Sequence, residues 1–442
     1  MRPLYFILNF TLNYALRIFY PRNKLVNAPK YFFGRTIFVC NHAASLMDPL
    51  VLGAFRRPVV FFMARSDVFI KFLQPFFWAG HMLPIYRKHD GHNTKEKNQF
   101  VFKKCSRILS FGRSLILFGE GFTDDIFIRR LKPLKKGAVR IGFIALEHVN
   151  WKKKIYISAV GCNYSDPNQM GSDLLIAHSE RICLNDYKDS YIKTPNKVIA
   201  ELTQKMHQLL IEQITHVENK ELAPFHENVM IITRKGMNAQ NYDPSISLLE
   251  RWKYSRGLAN WINNQDFTKN EGLNKVKVQA EKYFDLLNEN NIEEKQVFWK
   301  KTKPSGNRIN SILLLIILFP IGIIGAIHCA IPYIFTKRFC ERSLKRKVFW
   351  GSAKLILGKL TIGLLNLPVI YLFYYFIHPS WWLAIAYYTS IGLTGLIAYK
   401  WVLILKTYKA RGKIIQEDTS GIMVARKELE DTIDEFIPSN FT

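Results

Sequence analysis

Between Arg35 and Tyr164 short apolar runs alternate with longer amphipathic stretches. Thr36–Cys40, Val59–Ala64, Leu83–Arg87, Ser114–Phe118 and Lys154–Val160 have the length and the β-branched or aromatic content of strands. Thr94–Phe111 and Gly137–Val149 place apolar residues at helical spacing between the last three of them. Strands that alternate with helices predict an α/β domain with a mainly parallel sheet flanked by helices. The pattern continues more weakly to about Arg234, with a long helical stretch at Asn196–Glu218.

The apolar pattern changes twice more. Met1–Tyr20 is apolar except for Arg2 and Arg17, and it runs into Ile18-Phe19-Tyr20-Pro21-Arg22 with no small-residue cleavage site. It predicts a helix lying in or dipping into a bilayer. Residues from about Lys235 to Asn307 are polar and helix-prone. Ser311–Phe335 then runs for 25 residues without a charge, interrupted by Pro320 and several glycines. Leu360–Ile377 and Trp381–Tyr399 are also uncharged, separated by His378-Pro379-Ser380, and each run approaches the length that crosses a bilayer core of roughly 30 Å.

Basic residues flank these runs: Lys300, Lys301, Lys303 and Arg308 before the first, Lys337, Arg338, Arg342, Lys345, Arg346 and Lys347 after it, and Lys406, Lys409, Arg411 and Lys413 after the last. The positive-inside rule draws all three clusters to the cytoplasmic face. Two hairpins satisfy it, the first re-entrant and bent at Pro320. The expected organisation is a membrane-associated helix over 1–28, the α/β domain over 29–235, a helical connecting region over 236–307, membrane hairpins or transmembrane helices over 308–406, and a cytoplasmic tail over 407–442.

Composition narrows the partners. Lys and Arg number 62 against 35 Asp and Glu, a formal net charge of +27, which calls for a polyanion. The basic residues gather beside apolar segments and no nucleic-acid-binding signature accompanies them, so an anionic membrane fits and a nucleic acid does not. The six cysteines form no C-x-x-C pair and have no zinc-like histidine spacing, as expected of free thiols.

The chemistry is concentrated in Thr36–Leu50. A buried strand ends in Asn41-His42, and Asp48-Pro49 follows six residues after the histidine. Asp48 is suited to cap a helix starting at Pro49, with residues 43–47 folding His42 back onto it. A carboxylate fixes the tautomer of an imidazole and stabilises its protonated form, as a general base for a hydroxyl requires. Further on, Ser114–Phe118 runs into Gly119-Glu120-Gly121, where the glycines allow close backbone approach. Leu83–Tyr86 ends in Arg87, a guanidinium suited to phosphate. Leu131–Arg140 adds Lys135 and Lys136 at the start of a helix.

In order and spacing this array resembles the glycerolipid acyltransferase family, of the glycerol-3-phosphate and 1-acylglycerol-3-phosphate type. Asn41-His42…Asp48 is similar to its Asn-His…Asp motif, Gly80–Arg87 to its strand-borne arginine, Phe118-Gly119-Glu120-Gly121 to its Phe-Pro-Glu-Gly motif, and Ala159–Tyr164 to its Pro-Val-Gly strand. The resemblance covers about residues 30–235. Five residues, not the usual four, separate His42 from Asp48, and Gly119 and Ala159 replace customary prolines. These departures remove no reactive group and bear on the acceptor pocket.

The resemblance implies that His42 and Asp48 are catalytic, His42 taking the proton of the acceptor hydroxyl and Asp48 orienting it. It implies that Asn41, Arg87, Glu120, Gly121 and Lys135 bind substrate, with Arg87 on the acceptor phosphate. The donor would be acyl-CoA or an acyl-carrier protein, with no cofactor and no metal, and the acceptor glycerol-3-phosphate or lysophosphatidate, at a membrane with the active site facing the cytoplasm. Another lysophospholipid or an acylated amino-acid lipid is the alternative acceptor. A hydrolase would need a nucleophile elbow or a metal cluster; Ser45 is near, but G-x-S-x-G is absent, and His81, His89 and His92 fit no common metal spacing. A non-catalytic lipid-binding protein would be expected to lack His42 or Asp48.

Overall fold

A computed structural model describes residues 3–28, 34–55, 60–66, 69, 71, 74–86, 94–302, 306–416 and 418–441. The chain forms two compact units, one of Met1–Arg17, Arg22–Pro167 and Asp173–Glu218, the other of Ile18–Pro21, Asn168–Ser172 and Asn219–Thr442. Arg87, His89, His92 and Lys303 lie outside the described residues.

The first unit begins with α1 (Pro3–Phe19), β1 (Arg22–Val26), β2 (Thr36–Cys40), α2 (Met47–Ala54), β3 (Val60–Arg65), α3 (Gln74–Ala79), β4 (Met82–Ile85) and α4 (Thr94–Ser110). It continues with β5 (Ser114–Phe118), α5 (Gly137–His148), β6 (Tyr156–Tyr164), β7 (Asp173–His178), β8 (Ile182–Cys183), α6 (Lys188–Lys193) and α7 (Pro195–Ile211). The sheet order is β1-β7-β6-β2-β5-β3-β4, with β8 beside β6. Every pairing is parallel except β6 with β7 and β6 with β8. This is the α/β domain with a mainly parallel sheet and flanking helices that the alternation predicts. All five residues of β2 are buried, which explains the nearly unbroken apolar run.

Three departures have physical causes. β6 extends to Tyr164 because it changes partner: residues 156–160 pair with β2, and residues 160–164 pair with β7. β1 is polar in sequence yet joins the sheet edge, where an ion pair from Arg22 to the buried Asp173 fixes its register. α7 stops at Ile211 because the following segment runs extended beside β6: Asn163 Nδ2 donates to Gln213 O (2.9 Å), and Thr215 N donates to Asn163 Oδ1 (3.0 Å). Gly161 permits that approach, since a Cβ there would lie 2.1 Å from Gln213 O.

α1 packs on α2 through Asn9, which donates to Gly53 O (2.8 Å), and Asn13, which donates to Ala54 O (2.9 Å). Leu4, Phe6, Ile7 and Phe10 remain exposed on its other side.

The second unit contains α8 (Ala223–Thr233), α9 (Leu248–Asn263), α10 (Glu271–Glu289), α11 (Glu294–Thr302), α12 (Gly306–Ser343), α13 (Trp350–Leu365), α14 (Pro368–Phe376), α15 (Trp381–Gln416) and α16 (Ser420–Phe436). Ser247 and Glu250 form a capping box at the start of α9. Residues 236–307 share a core with the C-terminal segment: Val276, Tyr283 and Val297 pack with Ile422, Leu429 and Ile433. Arg426 donates to Glu294 Oε1 (2.7 Å) inside it, Tyr283 hydrogen-bonds the same carboxylate, and Lys301 pairs with Glu430 (2.6 Å).

Among the described residues, three helical segments are long and apolar enough to cross a membrane: Ile309–Ser343, Lys347–Phe376 and Trp381–Ile414, with mean hydropathies over an 18-residue window of 2.7, 1.8 and 1.4. α12 passes through Pro320 and Pro332 without reversing, which corrects the expected re-entrant bend at Pro320. The lost backbone bond at a proline interrupts one turn and leaves the rest of so long a helix intact. α12 and α15 run in opposite directions, with Trp401 donating to Leu315 O (2.9 Å) and Tyr387 meeting His328 Nε2 (2.9 Å). Their backbones touch at Gly325, where a Cβ would lie 2.0 Å from Thr394 O. α13 runs back along α12, joining Thr361 to Thr336 (3.0 Å) and Asn366 to His328 (2.7 Å). The chain breaks before Pro368, and α14 then reaches Trp381 through a stacked Tyr374 (4.1 Å).

Candidate active site

β2 delivers Asn41 and His42 at its C-terminal end, and β5 delivers Phe118 and Glu120 beside them, because these strands pair in parallel. His42 Nδ1 lies 3.1 Å from Asp48 Oδ2. The His42 ring stacks on Phe118, with centroids 4.3 Å apart. Its side chain is 21% exposed while that of Asp48 is 0%, so a buried carboxylate holds an imidazole that solutes can reach.

Asp48 is not the helix cap expected from its place before Pro49. It stands inside the first turn of α2, and Leu46 precedes the helix without a side-chain cap. The carboxylate is otherwise engaged. Oδ2 also accepts Ala44 N–H (3.0 Å), and Oδ1 accepts the Tyr164 hydroxyl (2.9 Å). Ser45 adopts a left-handed φ of 52° in the turn that brings Asp48 back, which accommodates the fifth intervening residue.

Glu120 is 3% exposed and each oxygen takes a backbone N–H, His42 at 2.6 Å and Lys132 at 3.0 Å. Burial raises its pKa, opposed by those two hydrogen bonds. The residue thus ties the β2 end to the loop after β5. Gly121, at φ 79°, is crossed by the Lys135 side chain, whose Nζ would lie 2.4 Å from a Cβ there. Asn41 points away from His42: its amide accepts Cys162 N–H (2.8 Å) and donates to Cys162 O (3.0 Å), bracing β2 against β6. The structure therefore brings together His42, Asp48, Asn41, Glu120, Gly121 and Lys135, and uses Asn41 and Glu120 as braces. All six cysteines are free, and Cys40 is fully buried in β2.

The replaced prolines also have local reasons. A Cβ at Gly119 would meet Leu134 at 2.7 Å, and Ala159 uses its N–H to donate to Ser179 Oγ (2.9 Å), which proline cannot do. Two residues carry structure here that sequence reasoning passed over. Tyr164 ends the strand of the fourth motif and anchors Asp48. Arg129 donates to Tyr164 O (2.6 Å) and Ser165 O (3.2 Å), holding that strand end in place. Only the position of Tyr164 within a motif-bearing strand signalled it; Arg129 reaches its partners from 35 and 36 residues away.

A mainly parallel sheet with a histidine–aspartate pair at its strand ends is the arrangement of an α/β enzyme site. Residues 24–162 match the family model described as Acyltransferase, which supports a domain of the glycerolipid acyltransferase family there. The match supports an acyltransferase domain that serves acyl transfer in lipid metabolism. No curated protein matches the chain.

Proposed function

We propose that this protein is a membrane O-acyltransferase that moves a fatty acyl group from an acyl thioester to a hydroxyl of glycerol-3-phosphate or lysophosphatidate. The observation that carries the reading is the His42 geometry. Nδ1 faces Asp48, so an Nδ1–H tautomer leaves the Nε2 lone pair to take a proton. Among the described residues, none bonds Nε2. The acceptor oxygen attacks the thioester carbonyl carbon as Nε2 takes its proton, and Asp48 stabilises the imidazolium. The C–S bond then breaks, and the leaving thiolate recovers that proton from His42. An ester and a free thiol result, with no covalent enzyme intermediate and no metal required.

Arg87 and Lys135 are assigned to anionic groups of the substrates by the family resemblance. The donor is acyl-CoA or an acyl-carrier protein, both acidic, as the charge of +27 favours. The exposed apolar side of α1 and the three long apolar helices support membrane attachment, and their basic flanks support an active site on the cytoplasmic side.

The test is acyl transfer from radiolabelled acyl-CoA to glycerol-3-phosphate and to lysophosphatidate by detergent-purified protein and by His42→Ala. Transfer to one acceptor, lost in the variant, is expected. Activity that survives in His42→Ala would exclude the general-base role, and transfer to neither acceptor would exclude this acceptor class with acyl-CoA as donor.

A further inference from the structure

The C-terminal half of α12 has two distinct faces. Cys329, Thr336 and Cys340 recur at helical spacing and are buried, Thr336 against Thr361 of α13 and Cys329 against Ile391 O of α15 (3.7 Å). On the opposite side Ile327, Ile331, Ile334 and Phe335 are exposed. The same stripe continues into Arg338 and Arg342, which are exposed as well. An apolar strip that ends in cations is complementary to an amphiphile whose head is an anion.

The cationic end is dense and uncompensated. Lys337, Arg338, Arg342, Lys345, Arg346 and Lys347 follow closely, and Glu341, the sole carboxylate from Lys337 to Lys359, is engaged by Lys354 (2.7 Å). Among the described residues, no carboxylate pairs with Lys337, Arg338, Arg342 or Lys345. Arg338 and Arg342 stand four apart on one face, with Cβ atoms about 6 Å from each other, and like charges so placed destabilise a helix until an anion joins them. The corner that follows is firmly built. Trp350 Nε1 donates to Leu344 O (2.9 Å), Phe349 N donates to Arg346 O (3.2 Å), and Lys347 and Lys354 stand over the Trp350 ring at 5.8 and 5.3 Å.

Position sets this cluster apart from the other two. Trp401 meets Leu315 and Arg411 stacks over Trp299 of α11 (4.7 Å), so the basic end of α15 lies with the start of α12. Because α12 does not reverse, residues 337–347 lie at the other end of the α12–α15 pair. The positive-inside rule accounts for basic residues on one side of a bilayer only, and the middle cluster needs a counter-charge of its own.

We propose that this end of α12 is a docking surface for an anionic phospholipid of the bilayer, with its chains along Ile327, Ile331 and Ile334 and its phosphate between Arg338 and Arg342. The inference rests on the membrane attachment proposed above and not on the acyl-transfer step. A zwitterionic lipid brings the arginines no net charge, and a free anion leaves the isoleucines uncovered.

Thermal melting of the full chain in detergent tests it, in micelles doped with phosphatidylglycerol or phosphatidylcholine and with inorganic phosphate at matched ionic strength. Phosphatidylglycerol is expected to raise the wild-type melting temperature above its phosphatidylcholine value. In Arg338→Gln/Arg342→Gln the phosphatidylglycerol content giving half that rise is expected to increase roughly tenfold or more, as loss of two basic residues at an anionic surface implies. The same variant is expected to melt no lower than wild type in phosphatidylcholine, since it relieves like-charge repulsion. Arg338→Lys/Arg342→Lys is expected to restore most of the rise. Lys406→Gln/Lys409→Gln, which removes as much charge from the other end, is expected to keep it. A rise that survives in Arg338→Gln/Arg342→Gln, is lost equally in Lys406→Gln/Lys409→Gln, is matched by phosphatidylcholine or is reproduced by inorganic phosphate overturns the assignment. Flotation reads the membrane attachment separately. A chain that stays soluble without detergent and does not float with phosphatidylcholine vesicles defeats that attachment, and the phosphatidylglycerol melt then decides the surface alone: no selective rise overturns it.

Discussion

The hydroxyl of Tyr164, the last residue of β6, donates to Asp48 Oδ1 across 2.9 Å, while Oδ2 of the same carboxylate faces His42. Tyr164 is wholly buried and its carbonyl is held by Arg129. The carboxylate that orients the base is therefore itself oriented, by a strand that reaches it from 116 residues away.

Tyr164→Phe is expected to lower kcat roughly tenfold while leaving the acceptor KM near its wild-type value, because the variant loosens Asp48 and touches no substrate. Loss of a hydrogen bond to a charged acceptor is expected to lower stability by about 1.5–3 kcal/mol. Steady-state kinetics with denaturant unfolding checks both, and an unchanged kcat would rule out a positioning role.

Asp48→Asn is expected to reduce kcat/KM by roughly 10²–10⁴-fold, the range that general-base catalysis contributes. The amide keeps the shape of the side chain, but its NH2 group must face either His42 or the Tyr164 hydroxyl, and no negative charge remains to stabilise the imidazolium. A matched melting curve separates this loss from misfolding.

His216 gives a pH signature. Its Nδ1 accepts Leu131 N–H (2.9 Å), and burial, then His207 and Arg130, push its pKa down from 6.5 to about 4. The unfolded chain therefore binds a proton at pH 4–6.5 that the folded chain refuses. The contribution is fully present above about pH 6.5 and is lost as pH falls toward 4, amounting to at most about 3 kcal/mol. Unfolding midpoints at pH 7 and pH 5 are expected to differ more in wild type than in His216→Gln, which keeps an acceptor for Leu131 and does not titrate. Equal differences would refute the assignment.

Glu294→Ala removes the carboxylate that Arg426 and Tyr283 share at the heart of the second unit. Leaving a buried guanidinium with only Glu430 is expected to cost about 3–5 kcal/mol. The melting temperature of the full chain in detergent should fall accordingly, while the His42–Asp48 pair, held by separate residues, is left intact.

What the sequence made legible follows from how local each signal is. β2 and β5 were readable to the residue because each is an apolar run buried in the sheet. β1 was not, because Arg22-Asn23-Lys24 looks like a loop until Asp173 pairs with it. His42, Asp48, Glu120 and Gly121 declare themselves by order and spacing along a short stretch. Tyr164 does not, since only the folding of β6 carries it to Asp48. The cap expected at Asp48 failed for a related reason: a carboxylate before proline is a local signal, and three nonadjacent partners outcompete it.

The contact of α11 with α16 has a consequence of parity. Through Glu294–Arg426 and Lys301–Glu430, the residues just before the first long apolar helix are fastened to those just after the last. The chain between them is a closed circuit, and a closed circuit meets any plane an even number of times. Three helices have the length to traverse a bilayer, yet with this fastening intact no more than two of them do so. The odd one is marked by its own geometry: α13 descends along α12 only as far as His328, breaks before Pro368, and α14 turns back toward Trp381.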